Sequence, residues 1–410
     1  MSADMKVPVF DPNDPVQLDD LLGTWRRLRD HAPVQHTPIA GGTWLLTRFD
    51  DIKRLLRDAE AQMKPPGLDP GAPLAGGPAE RIYRGLMVLN DPPVHTRIRR
   101  LAEVALTKKG VSGLRERITT VVDEALDAVE SRGELEAVTE LAFVVPLRVI
   151  CGFLGIPPAD RMRLLEWTPD FFRIFIPAAN DAEGIAACHR ACQHYIDYIG
   201  ELIAYRRARP ADDLFTALIQ AEEVGQRLSP DELVATVLSL LTGGFDTTMG
   251  MLSAGLYTLA EQPEQFARLR SDPAGLAPAA VQEFIRWESP VGVTFRHFTH
   301  DVELHGVRIP AGEPVWMSLL SANHDERRFS DPDRIDIERP DNRHLAFGGA
   351  RHFCLGNNLA RLEGEVTFER VARRWQSFEV TGPTPRRPNF QFRSMSALPI
   401  RFETAASPRP

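Results

Sequence analysis

The sequence predicts a mainly α-helical protein with small β-sheets, folded as one domain over residues 1–410. Apolar residues recur at helical spacing through most of residues 95–290, and the segment 229–261 keeps that spacing without a break. Apart from one segment near the N-terminus, short stretches typical of β-strands appear only after residue 290. No repeat, low-complexity tract or change of composition divides the chain, so we expect a single domain.

The longest predicted helix begins at residue 229 and ends near Glu261. Ser229 is a preferred N-cap residue, Pro230 suits the first turn, and Glu232 completes a capping box with Ser229. At about 1.5 Å per residue the helix would be roughly 48 Å long, which is the diameter of the whole molecule. We therefore expect it to run through the centre of the protein.

The other predicted elements are shorter and are separated by turn-forming residues. Near the N-terminus, residues 43–49 have the pattern of a strand and residues 50–60 the period of a short helix, followed by a loop rich in proline and glycine at 63–80. The helical region is expected to break at 155–160, 176–181 and 208–213. Short strands are expected within 302–319 and in "FEVTGP" and "LPIRFE" near the C-terminus.

Composition and charge exclude several classes of protein. The chain has 43% hydrophobic residues and a net charge of −8, with no basic tract of the kind that binds nucleic acid. Its four cysteines are too few for a disulfide scaffold, and no uncharged apolar run reaches the roughly 18–20 residues that cross a membrane. The opening "MSADMKVPVF" lacks the pattern of a secretory signal. We expect a soluble cytoplasmic monomer with neither nucleic-acid nor membrane partners.

One of the four cysteines, Cys354, lies in the glycine-rich segment "HLAFGGARHFCLGNNLARLEGE", residues 344–365. Helical spacing is kept beyond it by Leu355, Leu359, Leu362 and Val366. Cys354 is therefore expected at a helix N-terminus, where unpaired N–H groups and the helix dipole favour a thiolate. Gly348, Gly349 and Gly356 allow the backbone to approach a partner closely. This combination suits a cysteine ligand of haem iron, although most free cysteines are small buried hydrophobes.

The centre of the long helix, "LLTGGFDTTMG" (240–250), has an unusual composition for a helix interior. Gly243 and Gly244 each disfavour a helix by about 1 kcal/mol relative to alanine. Thr247 follows Gly243 by one helical turn, so its hydroxyl can bond the Gly243 carbonyl and open the helix there. Asp246 adjoins that alcohol. The pattern indicates a functional segment more than a pair of tolerated packing glycines.

The pattern Phe347-Gly348-x-x-x-His352-x-Cys354-x-Gly356 resembles the haem-binding loop of the cytochrome P450 family, with Ala350 where the family has a second glycine. Residues 240–250 resemble the oxygen-activation segment of the same family without departure. The resemblance covers essentially the whole chain. It implies a triangular, mostly α-helical fold with haem between the long helix and the helix after Cys354.

Two further groups of residues match the family residue by residue. The Glu-x-x-Arg pair corresponds to Glu283 and Arg286, and Arg339 corresponds to the third member of a buried ion network. We interpret this trio as structural support behind the haem. The partners of the haem propionates implied by the resemblance are His95, Arg99, Arg296 and His352.

The resemblance implies a mono-oxygenase that hydroxylates, epoxidises or dealkylates an organic molecule, with Cys354 as the axial ligand of haem b and O2 as co-substrate. Asp246 and Thr247 would deliver protons, and the residues expected to line the haem are Phe347, Gly348, Gly356, Gly243 and Gly244. The chain has no dinucleotide fingerprint, so NAD(P)H would act only indirectly, through a separate ferredoxin and reductase. A peroxide-driven peroxygenase, P450-type radical coupling and a non-catalytic haem-binding module remain as alternatives.

The substrate and partner surfaces follow only from family position. A small apolar substrate is expected, surrounded by Trp167, Phe171, Phe172, Phe175, Phe295, Phe390 and Phe392, with Arg393 as the one cation placed to meet a substrate carboxylate. The basic residues expected to bind an acidic ferredoxin are Arg97, Arg100, Lys108, Lys109 and Arg361. "CHRACQHY" (188–195) offers two cysteines and two histidines, but on a helix they point apart, so we expect no zinc site.

Overall fold

The computed structural model describes residues 9–64, 67, 69–103, 113–175, 177, 180–223, 228–387 and 389–405. Its first α-helices are α1 (Pro15–Asp19), α2 (Leu21–His31), α3 (Phe49–Leu56), α4 (Pro78–Gly85), α5 (Val94–Glu103), α6 (Arg115–Glu130), α7 (Val144–Leu154) and α8 (Arg161–Phe172). They are followed by α9 (Ala182–Ala208), α10 (Leu214–Glu223), α11 (Pro230–Glu261), α12 (Pro263–Ser271), α13 (Pro273–Glu288), α14 (Leu319–Asn323) and α15 (Asn357–Arg374).

The strands form small sheets beside these helices. They are β1 (Val34–Thr37), β2 (Thr43–Leu46), β3 (Ala61–Gln62), β4 (Glu134–Glu136), β5 (Val293–Phe298), β6 (Val302–Leu304), β7 (Val307–Ile309), β8 (Pro314–Ser318), β9 (Trp375–Val380) and β10 (Pro399–Thr404). The largest sheet has the order β1-β2-β8-β5-β3, a second has the order β4-β10-β9, and β6 and β7 form a separate hairpin. The predicted fold class, mainly α with small sheets, is therefore confirmed.

The long helix α11 begins as the capping box predicts. The Ser229 hydroxyl accepts the N–H of Glu232 at 3.2 Å, and the Glu232 carboxylate accepts the N–H of Ser229 at 2.8 Å. The helix ends at Glu261, as expected. It packs against α4, α7, α13 and α15, so apolar residues cover most of its circumference.

Among the described residues, α11 is the one helix whose length and composition would suffice to cross a membrane. However, 72% of its most apolar window is buried inside the protein. Core packing therefore accounts for its apolar character.

Turn chemistry and strand pairing set the other boundaries. The break expected at 155–160 begins at Gly155, which ends α7 with a φ of 71°. The break at 208–213 separates α9 from α10, and the break at 176–181 lies partly outside the described residues. The predicted strand at 43–49 is shorter than expected, because Phe49 already begins α3.

Candidate active site

The loop before Cys354 is held in a tight curve by its own backbone. The N–H of Gly348 donates to the Leu345 carbonyl at 2.7 Å, and the N–H of Cys354 donates to the Phe347 carbonyl at 2.9 Å. Gly348 has a φ of 69°, which glycine adopts without a steric penalty. The Asn357 side chain then donates to the Cys354 carbonyl at 2.8 Å, at the first residue of α15. These bonds fix the thiol just before the helix N-terminus.

The thiol of Cys354 is subject to opposing influences. Burial raises its pKa, and this is the largest effect. The N–H groups of Gly356 and Asn357 and the charges of Arg99 and Arg361 act in the opposite direction. The helix terminus therefore favours the thiolate as expected, but burial outweighs it. A positively charged partner such as an iron ion is needed for a stable thiolate here.

Ala350 adopts a backbone conformation that favours glycine. Its φ is 50°, in the left-handed region, whereas the neighbouring Gly349 is extended with a φ of −164°. A residue with a Cβ in this region is disfavoured by about 1–2 kcal/mol. Replacing the family's second glycine by alanine therefore leaves the fold of the loop intact and adds local strain.

Two histidines lie against each other beside this loop with ring nitrogens that have no partner. The rings of His95 and His352 have centroids 4.3 Å apart. Both ring nitrogens of His95, and Nε2 of His352, are buried without a hydrogen bond. Burial, and then nearby arginines, lower the pKa of His95 and lower that of His352 to about 2. Unpaired buried donors of this kind indicate a missing acceptor.

Arg296 is the third group of this kind. Its side chain is buried, and its guanidinium donates to the Phe295 carbonyl at 2.6 Å and to the Thr294 hydroxyl at 3.2 Å. No carboxylate among the described residues forms an ion pair with it, and burial lowers its pKa to about 10. A buried cation beside two unpaired histidines requires an anion. These residues therefore fit the propionates of a haem.

Arg99 contacts the backbone of the cysteine loop. Its Nη1 donates to the carbonyls of Phe353 at 2.8 Å and Arg351 at 3.3 Å, and its Nε pairs with Glu103 at 2.7 Å. Arg99 therefore holds this loop directly. Its role as a propionate partner stays a prediction.

The Gly-Gly-x-Asp-Thr segment of α11 has two distinct faces. The Thr247 hydroxyl donates to the Gly243 carbonyl at 2.8 Å, as predicted. Apart from its chain neighbours and its own helix backbone, no atom of the described residues lies within 4 Å of the place where a Cβ would stand on Gly243, so this face is open. A Cβ on Gly244 would instead lie 2.7 Å from Ile150 of α7. Gly244 is thus required for helix packing, and its role as a cofactor-binding residue stays a prediction.

Asp246 has a partner that the sequence did not reveal. Its carboxylate accepts a hydrogen bond from Nη1 of Arg387 at 2.8 Å. The Asp246 side chain is 8% exposed and that of Arg387 is 44% exposed. The two residues lie 141 positions apart, so no local pattern connects them.

Glu283 forms a network with the completely buried Arg286 and the partly buried Arg339. Nε and Nη2 of Arg286 each donate to the Glu283 carboxylate at 2.8 Å, and Nε of Arg339 lies 3.1 Å from both oxygens. Arg286 also donates to the Asn323 carbonyl at 2.7 Å, and the Asn323 side chain accepts the N–H of Leu345 at 2.7 Å. The network is thus connected to the first residues of the cysteine loop. The sequence did not single out Asn323.

Comparison with known proteins identifies the family. The family model described as "Cytochrome P450" matches residues 161–273 and 275–402. This chain belongs to the cytochrome P450 family. It is 34% identical to cytochrome P450 CYP107DY1 of Priestia megaterium, over 97% of this chain and 100% of that protein. It is 33% identical to 6-deoxyerythronolide B hydroxylase of Saccharopolyspora erythraea, over 94% of this chain and 96% of that protein.

Solved structures agree with the sequence relatives. P450BioI, crystallised with an acyl carrier protein bearing hexadec-9Z-enoic acid, matches with a TM-score of 0.88 at 29% identity, over 95% of this chain and all of that one. The relatives are named hydroxylases, epoxidases and mono-oxygenases, so this P450 is an oxygen-incorporating oxidoreductase. Haem and O2 are the cofactor and co-substrate of the family. The recognition from the cysteine loop is therefore confirmed.

The aromatic residues expected around the substrate separate into two groups in this P450. Phe392 lies with its ring centroid 5.0 Å from Phe172 and 5.8 Å from Phe175, so these three form one cluster. Phe295 is partly buried and stacks on Trp316 at 6.2 Å.

The other expected pocket residues are Phe171, Phe390, Trp167 and Arg393. Phe171 is completely buried, and its ring lies 5.9 Å from Phe172 and 6.0 Å from Phe175, so it belongs to the same cluster. Phe390 stacks on Trp316, as Phe295 does, and Trp167 stacks on His194. Arg393 is buried and donates to the Glu288 carbonyl at 3.2 Å. The position of these four residues beside a substrate stays a prediction.

The structure also describes part of the expected basic surface and the segment for which zinc was rejected. Arg97 pairs with Glu232 at 2.6 Å, and Arg361 lies over the ring of Phe347 at 5.0 Å, so neither is a simple surface charge. Lys108 and Lys109 lie outside the described residues. No cluster of potential metal ligands occurs in the part of the chain that the structure describes.

Proposed function

We propose that this P450 is a haem-thiolate mono-oxygenase that inserts one oxygen atom of O2 into a small apolar organic substrate by hydroxylation, epoxidation or dealkylation. The observation that carries the proposal is the bond from the Thr247 hydroxyl to the Gly243 carbonyl, beside Asp246 and on an open face of α11. An alcohol and an acid at one opened helical turn are suited to moving protons. A protein that only bound haem would not need them.

Cys354 would hold the haem iron, and His95, His352 and Arg296 would hold the propionates. The support is the fit between three buried groups that lack an anion and a cofactor that carries two. Phe347, Gly348 and Gly356 would face the porphyrin. When bound, haem supplies oxygen activation, which the thiolate assists by donating electron density.

The roles of Thr247 and Asp246 follow from their hydrogen bonds. Because the Thr247 hydroxyl donates a hydrogen bond to the Gly243 carbonyl, the lone pairs of its oxygen can accept a hydrogen bond from a water molecule. That water would be ordered beside the haem. Asp246, one residue earlier, would exchange protons with it and with solvent.

An apolar substrate is supported by the cluster of Phe172, Phe175 and Phe392. Two relatives are named steroid C26-monooxygenase and mycinamicin IV hydroxylase/epoxidase. Another is named nocardicin C N-oxygenase, so the family position alone does not choose the bond that reacts. We propose oxygen insertion into an apolar part of the substrate.

The electron donor would be a small acidic ferredoxin, reduced by NAD(P)H through a separate reductase. Its docking surface would lie near Cys354 and include the exposed Arg100. Arg97 and Arg361 would contribute less than the sequence suggested, because Glu232 and Phe347 engage them. The protein would act as a monomer in the cytoplasm.

Labelled dioxygen tests the proposal. The haem-loaded protein, given electrons by a ferredoxin and reductase, is incubated with a mixture of steroids, fatty acids and macrolides under ¹⁸O2. A product that is heavier by one ¹⁸O atom supports mono-oxygenation. Product formation only with added peroxide would indicate a peroxygenase, and coupled products without label would indicate radical coupling. Haem binding without any oxygen consumption would indicate the non-catalytic module.

A further inference from the structure

The acid of the active-site helix is held by a residue from the C-terminal part of the chain. Nη1 of Arg387 donates to the Asp246 carboxylate at 2.8 Å, and its Nη2 lies 3.9 Å from the sulfur of Met249. Asp246 and Met249 are three positions apart on α11 and share one face of the helix. The guanidinium therefore lies along α11 and reaches the acid from one fixed side.

The backbone that carries Arg387 is fixed at two places. Its N–H donates to the Ser394 carbonyl at 3.0 Å, and the neighbouring Arg386 pairs with the completely buried Glu288 at 2.5 Å. Across the turn, Arg393 donates from its side chain to the Glu288 carbonyl at 3.2 Å and from its N–H to the Pro290 carbonyl at 2.8 Å. Both sides of the turn are therefore bound to the end of α13. Arg387 projects from a rigid base and not from a free loop.

The same turn also carries one of the pocket aromatics. Phe392 lies between Arg387 and Ser394 in sequence, and its ring contacts Phe172 and Phe175 at the end of α8. Phe392 thus contributes to the apolar cluster, and Arg387 forms the only hydrogen-bonded ion pair of Asp246 among the described residues. An arginine that is 44% exposed contributes little to stability through an ion pair, about 0–1 kcal/mol. Its rigid anchoring is better explained by orientation of the acid.

We propose that Arg387 is a positioning residue for proton delivery: it fixes the direction of the Asp246 carboxylate. The proposal rests on the proposed function, because it assumes that Asp246 moves protons. Arg387 does not touch the reacting atoms and acts only through Asp246. Removal of the Arg387 guanidinium should therefore slow oxygen consumption when Asp246 is present and should leave it unchanged when the acid is absent.

The test compares Arg387→Met, Arg387→Lys, Asp246→Asn and the double variant Arg387→Met/Asp246→Asn in the haem-loaded protein. Electrons are supplied photochemically, so no protein partner is needed, and oxygen consumption is measured in H2O and in D2O. Arg387→Met should slow oxygen consumption about tenfold, within the roughly hundredfold loss that a misplaced catalytic group causes. It should also increase the solvent isotope effect. Arg387→Lys, which keeps the charge, should recover part of the rate.

The double variant decides between positioning and an independent effect. If Arg387 acts through Asp246, the double variant equals Asp246→Asn alone in rate and isotope effect. The thermal unfolding midpoint of the double variant, measured without turnover, should be no lower than that of the less stable of the two single variants. Arg401→Met is the matched control, because Arg401 pairs with Glu379 on the surface at 3.3 Å, and it should behave as wild type.

Two results would overturn the proposal. One is an Arg387→Met protein with the wild-type rate and isotope effect. The other is a double variant whose loss of rate equals the product of the losses in the two single variants. If Arg387→Met does not fold, Arg387→Gln, which also removes the charge, takes its place, and a wild-type rate and isotope effect in that variant have the same meaning. A wild-type holoenzyme that consumes no oxygen would overturn the proposed function itself, and the inference with it.

Discussion

Glu283 offers the sharpest test of the structural network behind the cysteine loop. Its carboxylate is completely buried and accepts hydrogen bonds from Arg286, Arg339, the N–H of Asp336 and the side chain of Asn342. Glu283→Gln keeps the shape but removes the charge, so Arg286 becomes a buried cation without a counter-ion. Breaking a buried ion pair from one side typically destabilises a protein by about 3–5 kcal/mol.

The expected size of the effect can be expressed as a melting temperature. Unfolding entropy of about 2.1 cal/mol/K per residue gives roughly 0.9 kcal/mol/K for 410 residues. A loss of about 4 kcal/mol therefore lowers the Tm by about 5 °C. Because Arg286 reaches the cysteine loop through Asn323, the variant should also retain less haem at equal temperature.

The assay is thermal unfolding followed by circular dichroism, with haem content measured on the same samples. Glu166→Gln is the matched control, since Glu166 is exposed on α8, and it should change stability by less than about 0.5 kcal/mol. Combining Glu283→Gln with Arg286→Met should be less harmful than the sum of the two, because the uncompensated cation is gone. A Glu283→Gln protein that melts within 1 °C of wild type, by a criterion of roughly 1 kcal/mol, would refute the reasoning.

Three further outcomes are expected. Thr247→Ala should leave oxygen uptake intact but release hydrogen peroxide in place of product, whereas Asp246→Asn should slow the whole cycle; undiminished product per electron pair in Thr247→Ala would contradict the proton role. Ala350→Gly should stabilise the protein by about 0.5–1 kcal/mol in chemical unfolding, because the strain of alanine at a φ of 50° exceeds the extra conformational entropy that glycine loses on folding. Ala311→Gly should destabilise the protein. Reduction by an acidic ferredoxin should slow as ionic strength rises, and a rate independent of salt would contradict a basic docking surface.

Local chemistry made part of the fold predictable. The long helix was predicted at both ends because Ser229 and Glu232 form their capping box within one turn. The bond from Thr247 to Gly243 follows equally from spacing along a helix. Residues 302–319 were recognised as strand-forming, but their division into the hairpin β6–β7 and the sheet strand β8 depends on pairing with distant strands.

What the sequence could not reveal depends on contacts between distant residues. The bond of Arg387 to Asp246 and the link from Arg286 through Asn323 to the cysteine loop have no local pattern. The same holds for the contacts of an aromatic side chain, since Phe392 packs against Phe172 and Phe175 from a distant part of the chain. A family motif gives the identity of a residue and leaves its surroundings open.

The central claim is that Cys354 binds haem iron as a thiolate, and the ferrous–carbonyl spectrum tests it most directly. Haem-loaded protein is reduced, exposed to carbon monoxide and measured while freshly folded. We expect the strongly red-shifted absorption band that thiolate ligation causes, its loss in Cys354→Ala, and its retention when Cys151, Cys188 or Cys192 is replaced. A band typical of histidine ligation in the folded wild-type protein, or a red-shifted band that survives in Cys354→Ala, would contradict it.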